Sequence, residues 1–196
     1  MEPNPSDADC LARSIEEPRA FEVLFDRHFG AVHAYLHRRA GRNIADELAA
    51  ETFALAFEGR ASCRSKDSVL PWLYGIATNL LRRHRRVERR HLSAYARTGV
   101  NDWVAYEDET AARVDDSSNG AQLARALGAM RPRERDALLL YALADLSYDE
   151  IAAALDVPVG TVATWLHRAR ETARRELAAA EPRAPSLATT GANGNE

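Results

Sequence analysis

Thr161, Thr164, His167, Arg168 and Arg170 recur along one side of a single predicted helix, so two hydroxyls, an imidazole and two guanidinium groups share a face. Hydroxyl and imidazole groups can donate to or accept from base edges, and a guanidinium fork suits guanine or phosphate. A second set lies far upstream. Residues 82–90, RRHRRVERR, set six arginines against Glu88, and clustered guanidinium groups bind phosphates whatever the base sequence. A third set is opposite in sign: Asp46, Glu47 and Glu51 crowd one polar side of another predicted helix. Glu47 and Glu51 stand four residues apart, a spacing at which like charges repel by about 0.2–0.5 kcal/mol in an isolated helix. Either water solvates this face or a cationic partner relieves it. The chemistry these three sets offer is recognition of a polyanion and of an external partner.

Metal chemistry finds little support. His33 and His37 are four apart on one helix and Glu88 precedes His91 by three, yet neither pair has enough further ligands nearby, so no metal and no cofactor are expected. Cys10 and Cys63 are too few for a disulfide framework or a four-ligand zinc site and read as incidental thiols.

The first set needs a rigid mount, and LSYDEIAAALDVPVGTVATWLHRARETARRE, residues 146–176, supplies one. Ser147 is placed to cap a helix whose apolar side is Ile151 and Leu155, with Asp149 and Glu150 in the first turn, where the helix dipole favours negative charge. Asp156, Val157 and Pro158 break the period. Gly160 and Thr161 restart it, and Val162, Leu166, Ala169, Ala173 and Leu177 then follow at steps of three and four. Two short helices joined by a tight turn, the second one basic, form a helix-turn-helix, whose second helix fits the major groove.

The remaining elements also read as helices, with no strand pattern and no repeat. Residues 1–18 contain three prolines and small polar residues and are predicted to be a disordered arm. Residues 19–95 carry three amphipathic helices. Phe21, Leu24, Phe25, Phe29, Val32 and Leu36 mark the first, with a bend expected near Gly30 and an end at Gly41. The second runs from about Ile44 to Phe57, with Ile44, Leu48, Thr52 and Leu55 as its stripe and Phe53 and Phe57 flanking it. A polar loop covers 59–69, and the third helix begins near Pro71, buries Leu73, Ile76, Ala77 and Leu80, and ends in the arginine block. Residues 96–119 form an acidic linker with Asp102, Glu107, Asp108, Glu109, Asp115 and Asp116 against Arg113. Residues 120–180 hold four helices, and 181–196 are a disordered tail. The fold expected is all-α: two small helical domains joined by a flexible acidic linker.

This layout resembles the bacterial RNA polymerase sigma factors of the extracytoplasmic-function (ECF) type, the smallest members of the sigma-70 family. FEVLFDRHFGAVHAYLHRR, IADELAAETFALAF and LPWLYGIATNLLRRHRR look like the three successive segments of the family's region 2, and MRPRERDALLLYALADLSYDEIAAALDVPVGTVATWLHRAR looks like its region 4. The resemblance implies a protein that binds core RNA polymerase and directs it to promoter DNA, one domain reading and melting the minus-ten element and the other reading the minus-thirty-five element. It implies no catalytic residue. By the same resemblance Asp46, Glu47, Ala50 and Glu51 face the polymerase, with Ala50 standing where a glutamine is frequent. Asn79, Arg82, Arg83, Arg85 and Arg86 face the minus-ten DNA, and the loop before them, with Arg64 and Lys66, supplies the pocket for an unstacked base. Trp72 and Tyr74 are either stacking platforms or core.

In the second domain the family pattern places promoter contacts on Pro158, Gly160, Thr161, Thr164, His167, Arg168 and Arg170, with Arg133 and Arg135 available to phosphates. Ala163 and Trp165 depart from basic residues usual there; Trp165 either packs against a neighbour or meets a thymine methyl. The linker is either a phosphate mimic threading a polymerase channel or a solvated tether. Many ECF sigma factors are also held inactive by an anti-sigma protein, a further partner the resemblance brings in. The alternative is a stand-alone helix-turn-helix regulator that binds duplex DNA without polymerase.

A formal net charge of −3 argues weakly against a nucleic-acid partner only until the blocks are separated: basic, acidic, then basic again along the chain. Lys66 is the only lysine. No apolar run approaches the ~20 residues that span a bilayer, and the amino terminus MEPNPSDADC lacks an apolar signal core, so a cytoplasmic protein without membrane insertion is expected.

Overall fold

The computed structural model describes residues 5–63, 68–97 and 118–180, and every regular element among them is helical. Of the linker predicted over 96–119, residues 96–97 and 118–119 belong to helices, while 98–117, the tail from 181, and Arg64 and Lys66 lie outside the described residues.

The first difference from expectation comes at once. Residues Asp7–Glu16 form a helix, α1, where an arm without structure was predicted. Ser6 caps it: its hydroxyl accepts from the Asp9 N–H at 3.2 Å, and the Asp9 carboxylate accepts back from the Ser6 N–H at 3.3 Å, a reciprocal closure of two orphan donors. Pro5 and Pro18 flank the helix rather than interrupt it. Cys10, Leu11 and Ser14 face inward, so the arm is anchored by burial that its overall polarity concealed.

A 3₁₀ turn, Pro18–Phe21, leads into α2, Glu22–Ala40, which runs unbroken through Gly30 and stops at Gly41, where φ is 82°. Such a backbone favours glycine. Helix α3, Arg42–Gly59, buries Ala45, Leu48, Ala49, Thr52, Phe53 and Ala56. Its buried face is therefore rotated from the predicted stripe: Leu55 is 40% exposed, because three alanines allow the neighbouring helices to close on that side instead. After a 3₁₀ turn at Arg60–Ser62, helix α4 spans Leu70–Arg97. Tyr74 is core, edge-on to Tyr35 at 5.1 Å between ring centroids, and Trp72 packs half-buried on the same cluster.

The second domain comprises α5 (Ser118–Ala129), α6 (Pro132–Ala144), α7 (Tyr148–Leu155) and α8 (Val159–Ala180). Ser147 and Glu150 form the capping box of α7, and Asp145 and Asp156 close α6 and α7 in the left-handed region, at φ 54° and 52°. Asp tolerates this conformation better than bulkier residues. Ile151, Val162 and Leu166 are fully buried between α7 and α8 and fix the angle of the helix-turn-helix.

The two domains are packed together. A single apolar cluster includes Leu24, Leu36, Leu73 and Ala77 of the first and Ala137, Leu140, Ile151 and Leu155 of the second. Helix α4 lies against α7 so closely that a Cβ built on Gly75 would stand 2.3 Å from the Ala154 carbonyl oxygen.

Candidate nucleic-acid interface

Three surfaces carry the predicted residues. On α8, Thr164, His167 and Arg168 are exposed, as are Pro158 and Gly160 at its start, with Thr161 half-buried beside them. The Thr164 hydroxyl donates to the Gly160 carbonyl at 2.9 Å, which leaves its lone pairs toward solvent. Arg168 is 56% exposed and stands 3.9 Å from the buried carboxylate of Glu134, a loose pair that an incoming phosphate can replace. Arg133 is exposed on α6.

Two of the predicted promoter contacts turn inward. Arg170 donates to the Tyr148 hydroxyl at 3.0 Å and its guanidinium lies 5.2 Å from the Tyr141 ring centroid, so it braces α8 against α6 and α7. Arg135 is half-buried and donates to the Leu127 carbonyl at 3.5 Å, at the carboxyl end of α5. Trp165 is half-buried on the apolar cluster, which favours packing over a thymine contact, whereas Ala163 is exposed.

On α4, Asn79, Arg83 and Arg86 are exposed. Arg82 is not. Its Nη1 donates to Asn79 Oδ1 at 3.1 Å and its Nε to Asp136 Oδ2 at 2.5 Å. Arg85 donates to the Arg39 carbonyl at 2.7 Å, at the end of α2. The basic end of α4 is thus divided between an open edge and a side held by the fold.

On α3, Asp46, Glu47 and Ala50 are exposed and Glu51 is partly so. Asp46 is bonded to His33 Nε2 at 2.6 Å, which accounts for one of the two spaced histidines; no group of three or more potential metal ligands occurs among the described residues. Glu51 lies 3.9 Å from Arg83, so the acidic face borders the open basic edge.

Three residues that matter here, Asp136, Arg39 and Asp7, gave no sequence signal. Asp136 is 3% exposed, and both its oxygens accept at 2.5 Å, one from Arg39 Nη2 and one from Arg82 Nε. Burial by itself would raise its pKa, but the two guanidinium groups hold it below the ordinary carboxylate value. Arg39, also buried, donates to the Tyr35 hydroxyl at 2.5 Å. Asp7 accepts from Arg27, His28 and the Val69 N–H. Apart from Arg39 and Tyr35, which are four residues apart, these partners lie 20 to 97 residues apart, beyond any local pattern.

The comparisons with known proteins match the same two units. The family model for sigma-70 region 2 matches residues 24–91, and that for sigma-70 region 4 matches residues 120–172. The ECF RNA polymerase sigma-E factor of Haemophilus influenzae is 30% identical over 169 residues, with 79% of this chain and 86% of that protein covered. The chain belongs to the ECF branch of the sigma-70 family. The ECF sigma factor SigE of Mycolicibacterium smegmatis is 34% identical over 170 residues, and there this sigma factor spans 62% of its relative's length. Among solved structures, CnrH in complex with the cytosolic domain of CnrY superposes with a TM-score of 0.62 at 23% identity, covering 89% of this chain and 99% of that one. RpoE in complex with the anti-sigma factor NepR, from Bartonella quintana, gives 0.59 at 19%, covering 82% and 98%. Both support the all-helical fold. No described helix of this sigma factor is long and apolar enough to cross a membrane.

Proposed function

We propose that this ECF sigma factor binds core RNA polymerase through the acidic face of α3 and directs it to promoters, with the basic edge of α4 at the minus-ten element and the outer face of α8 at the minus-thirty-five element. The observation that carries this reading is the division of open polar surface. Thr164, His167 and Arg168 stand clear on the second helix of a capped helix-turn-helix, and Asn79, Arg83 and Arg86 stand clear on a different domain. Two cationic faces on separate domains suit two DNA elements better than one operator. Nothing in these surfaces makes or breaks a bond; the polymerase supplies the chemistry, so no catalytic residue is assigned. A factor that acts on polymerase would work in the cytoplasm, and an anti-sigma protein would act by covering these same faces.

Addition of the full chain to core polymerase and a library of promoter fragments is expected to give start sites absent with core alone. In a gel shift, promoter fragments should be retained strongly only by the holoenzyme. Tight, specific retention by the chain alone would favour a stand-alone regulator instead.

A further inference from the structure

We infer that α1 is a brace for strand opening: Asp7 and the Ser14 carbonyl, near its two ends, clasp the two stems of the segment between α3 and α4, so that base capture at the minus-ten element depends on positioning residues remote from the DNA. This rests on the assignment of the 60–69 segment to the pocket for an unstacked base. Arg60 makes the first clasp. Its Nε donates to the Ser14 carbonyl at 3.0 Å, its Nη1 donates to the Phe57 carbonyl, and its guanidinium lies 4.1 Å from the Phe57 ring centroid. An arginine engaged in this way beside a DNA-facing segment fixes shape rather than binding phosphate. Two residues on, the Ser62 hydroxyl donates to the Gly59 carbonyl at 2.7 Å and tightens the same turn.

The second clasp is at Val69, which is 1% exposed and whose N–H donates to Asp7 Oδ2 at 3.3 Å. Both points on α1 are themselves held. Arg27 and His28 of α2 grip the Asp7 carboxylate, and Ser14 is fully buried, its hydroxyl donating to the Leu11 carbonyl at 2.6 Å. Residues 64–67 lie between the stems and outside the described residues; the brace is defined by its two ends alone. Ends held at a fixed separation reduce the entropy that is lost when a segment closes on a ligand. Loss of a clasp lengthens the free segment, and each doubling of free length weakens closure about threefold.

The test uses holoenzyme assembled from the full chain and core polymerase. Its probes are a forked minus-ten template with every unpaired base in place and a set of the same template made abasic at one unpaired position each. The parent is expected to bind the intact fork more tightly than one member of the set, and that ratio measures base capture. Arg60→Met keeps the apolar contact with Phe57 but removes the donor to Ser14, and Asp7→Ala removes the acceptor of the Val69 N–H. Each should lower the ratio about threefold while affinity for core polymerase and for the abasic fork changes by less than about twofold. A merely structural role would weaken both templates alike. Unchanged ratios in variants that keep the parent helicity by circular dichroism, or losses shared equally by the two templates, would overturn the brace. A parent that does not discriminate would remove the pocket and the brace with it, whereas failure to initiate in the transcription assay would remove the function itself, so the failures are distinguishable.

Discussion

Asp7, at the start of α1, accepts a hydrogen bond from the Val69 N–H at 3.3 Å and so joins the first helix of the chain to the residues that open α4. From the other end of α1 the Ser14 carbonyl accepts from Arg60 Nε at 3.0 Å. Both stems of the 60–69 segment are therefore fastened to α1. Asp7 also accepts from Arg27 Nη1 at 2.5 Å and is bonded to His28 Nε2 at 2.7 Å.

Removal of this anchor should be costly. Asp7→Asn weakens three contacts around a nearly buried carboxylate, and a loss of about 2–3 kcal/mol is expected, less than for a fully buried pair because Arg27 reaches solvent. Urea unfolding of parent and variant checks it. Burial alone would raise the Asp7 pKa, but Arg27, His28 and the Val69 N–H together hold it below its ordinary value of 3.8. A depressed folded-state pKa means the contribution is present above that ordinary value and is lost as pH falls through the folded one. The stability difference should therefore shrink in strong acid and stay flat from about pH 5 to 7.

Arg168 and Arg170 are two residues apart and are expected to answer differently to truncation. Arg170→Ala removes the hydrogen bond to Tyr148 and the cation–π contact to Tyr141, and should cost about 1–2 kcal/mol of stability. Arg168→Ala removes a loose pair, in which the exposed arginine stands 3.9 Å from the buried Glu134, and should change stability by less than about 0.5 kcal/mol. In DNA binding the order reverses. Loss of one phosphate contact at Arg168 should lower the salt slope of holoenzyme binding by about 0.9. Calorimetry and a salt titration separate the two roles; equal slopes for parent and Arg168→Ala would remove Arg168 from the interface.

The same helix offers a gain of function. Ala163 is exposed on the turn that carries Thr164, so Ala163→Arg should add a phosphate contact, steepen the salt slope by about 0.9 and leave stability within about 0.5 kcal/mol. Trp165→Ala, by contrast, takes a half-buried ring off the apolar cluster and should destabilise by about 2 kcal/mol, with promoter preference unchanged. A shifted promoter preference in Trp165→Ala would restore the thymine reading.

What the sequence makes legible here is what repeats locally. The caps at Ser147 and Gly41, the break at Asp156–Pro158 and the apolar steps Val162–Leu166–Ala169 are written within a few residues of where they act, and the helices follow them. The exposed face of α8 follows for the same reason. Helix α1 was hidden because its support is distant: Asp7 is held from 20, 21 and 62 residues away. Leu48 and Thr52 of the predicted α3 stripe are buried, but Leu55 is not, and because alanine gives a weak hydrophobic signal the equally buried Ala45, Ala49 and Ala56 were missed. Arg82 and Arg170 read as free cations, since nothing in a basic run announces that Asp136 or Tyr148 will meet it.

Glu47, Glu51 and Leu55 follow one another at four-residue steps on the open side of α3, two like charges and an apolar side chain on one row. A helix gains nothing for itself from this row: the carboxylates repel by about 0.2–0.5 kcal/mol, and Leu55 is left in water. Among the described residues Glu51 is paired with Arg83, 3.9 Å away. Glu47→Lys converts the repulsion into an attraction of similar size, so stability should be unchanged or slightly raised. Docking onto a basic polymerase surface should meanwhile weaken at least tenfold, because like charges placed across an interface cost more than a lost contact. Co-elution with core polymerase together with a melting curve decides the matter: retained affinity in a stably folded Glu47→Lys would mean that the acidic row faces solvent rather than the polymerase.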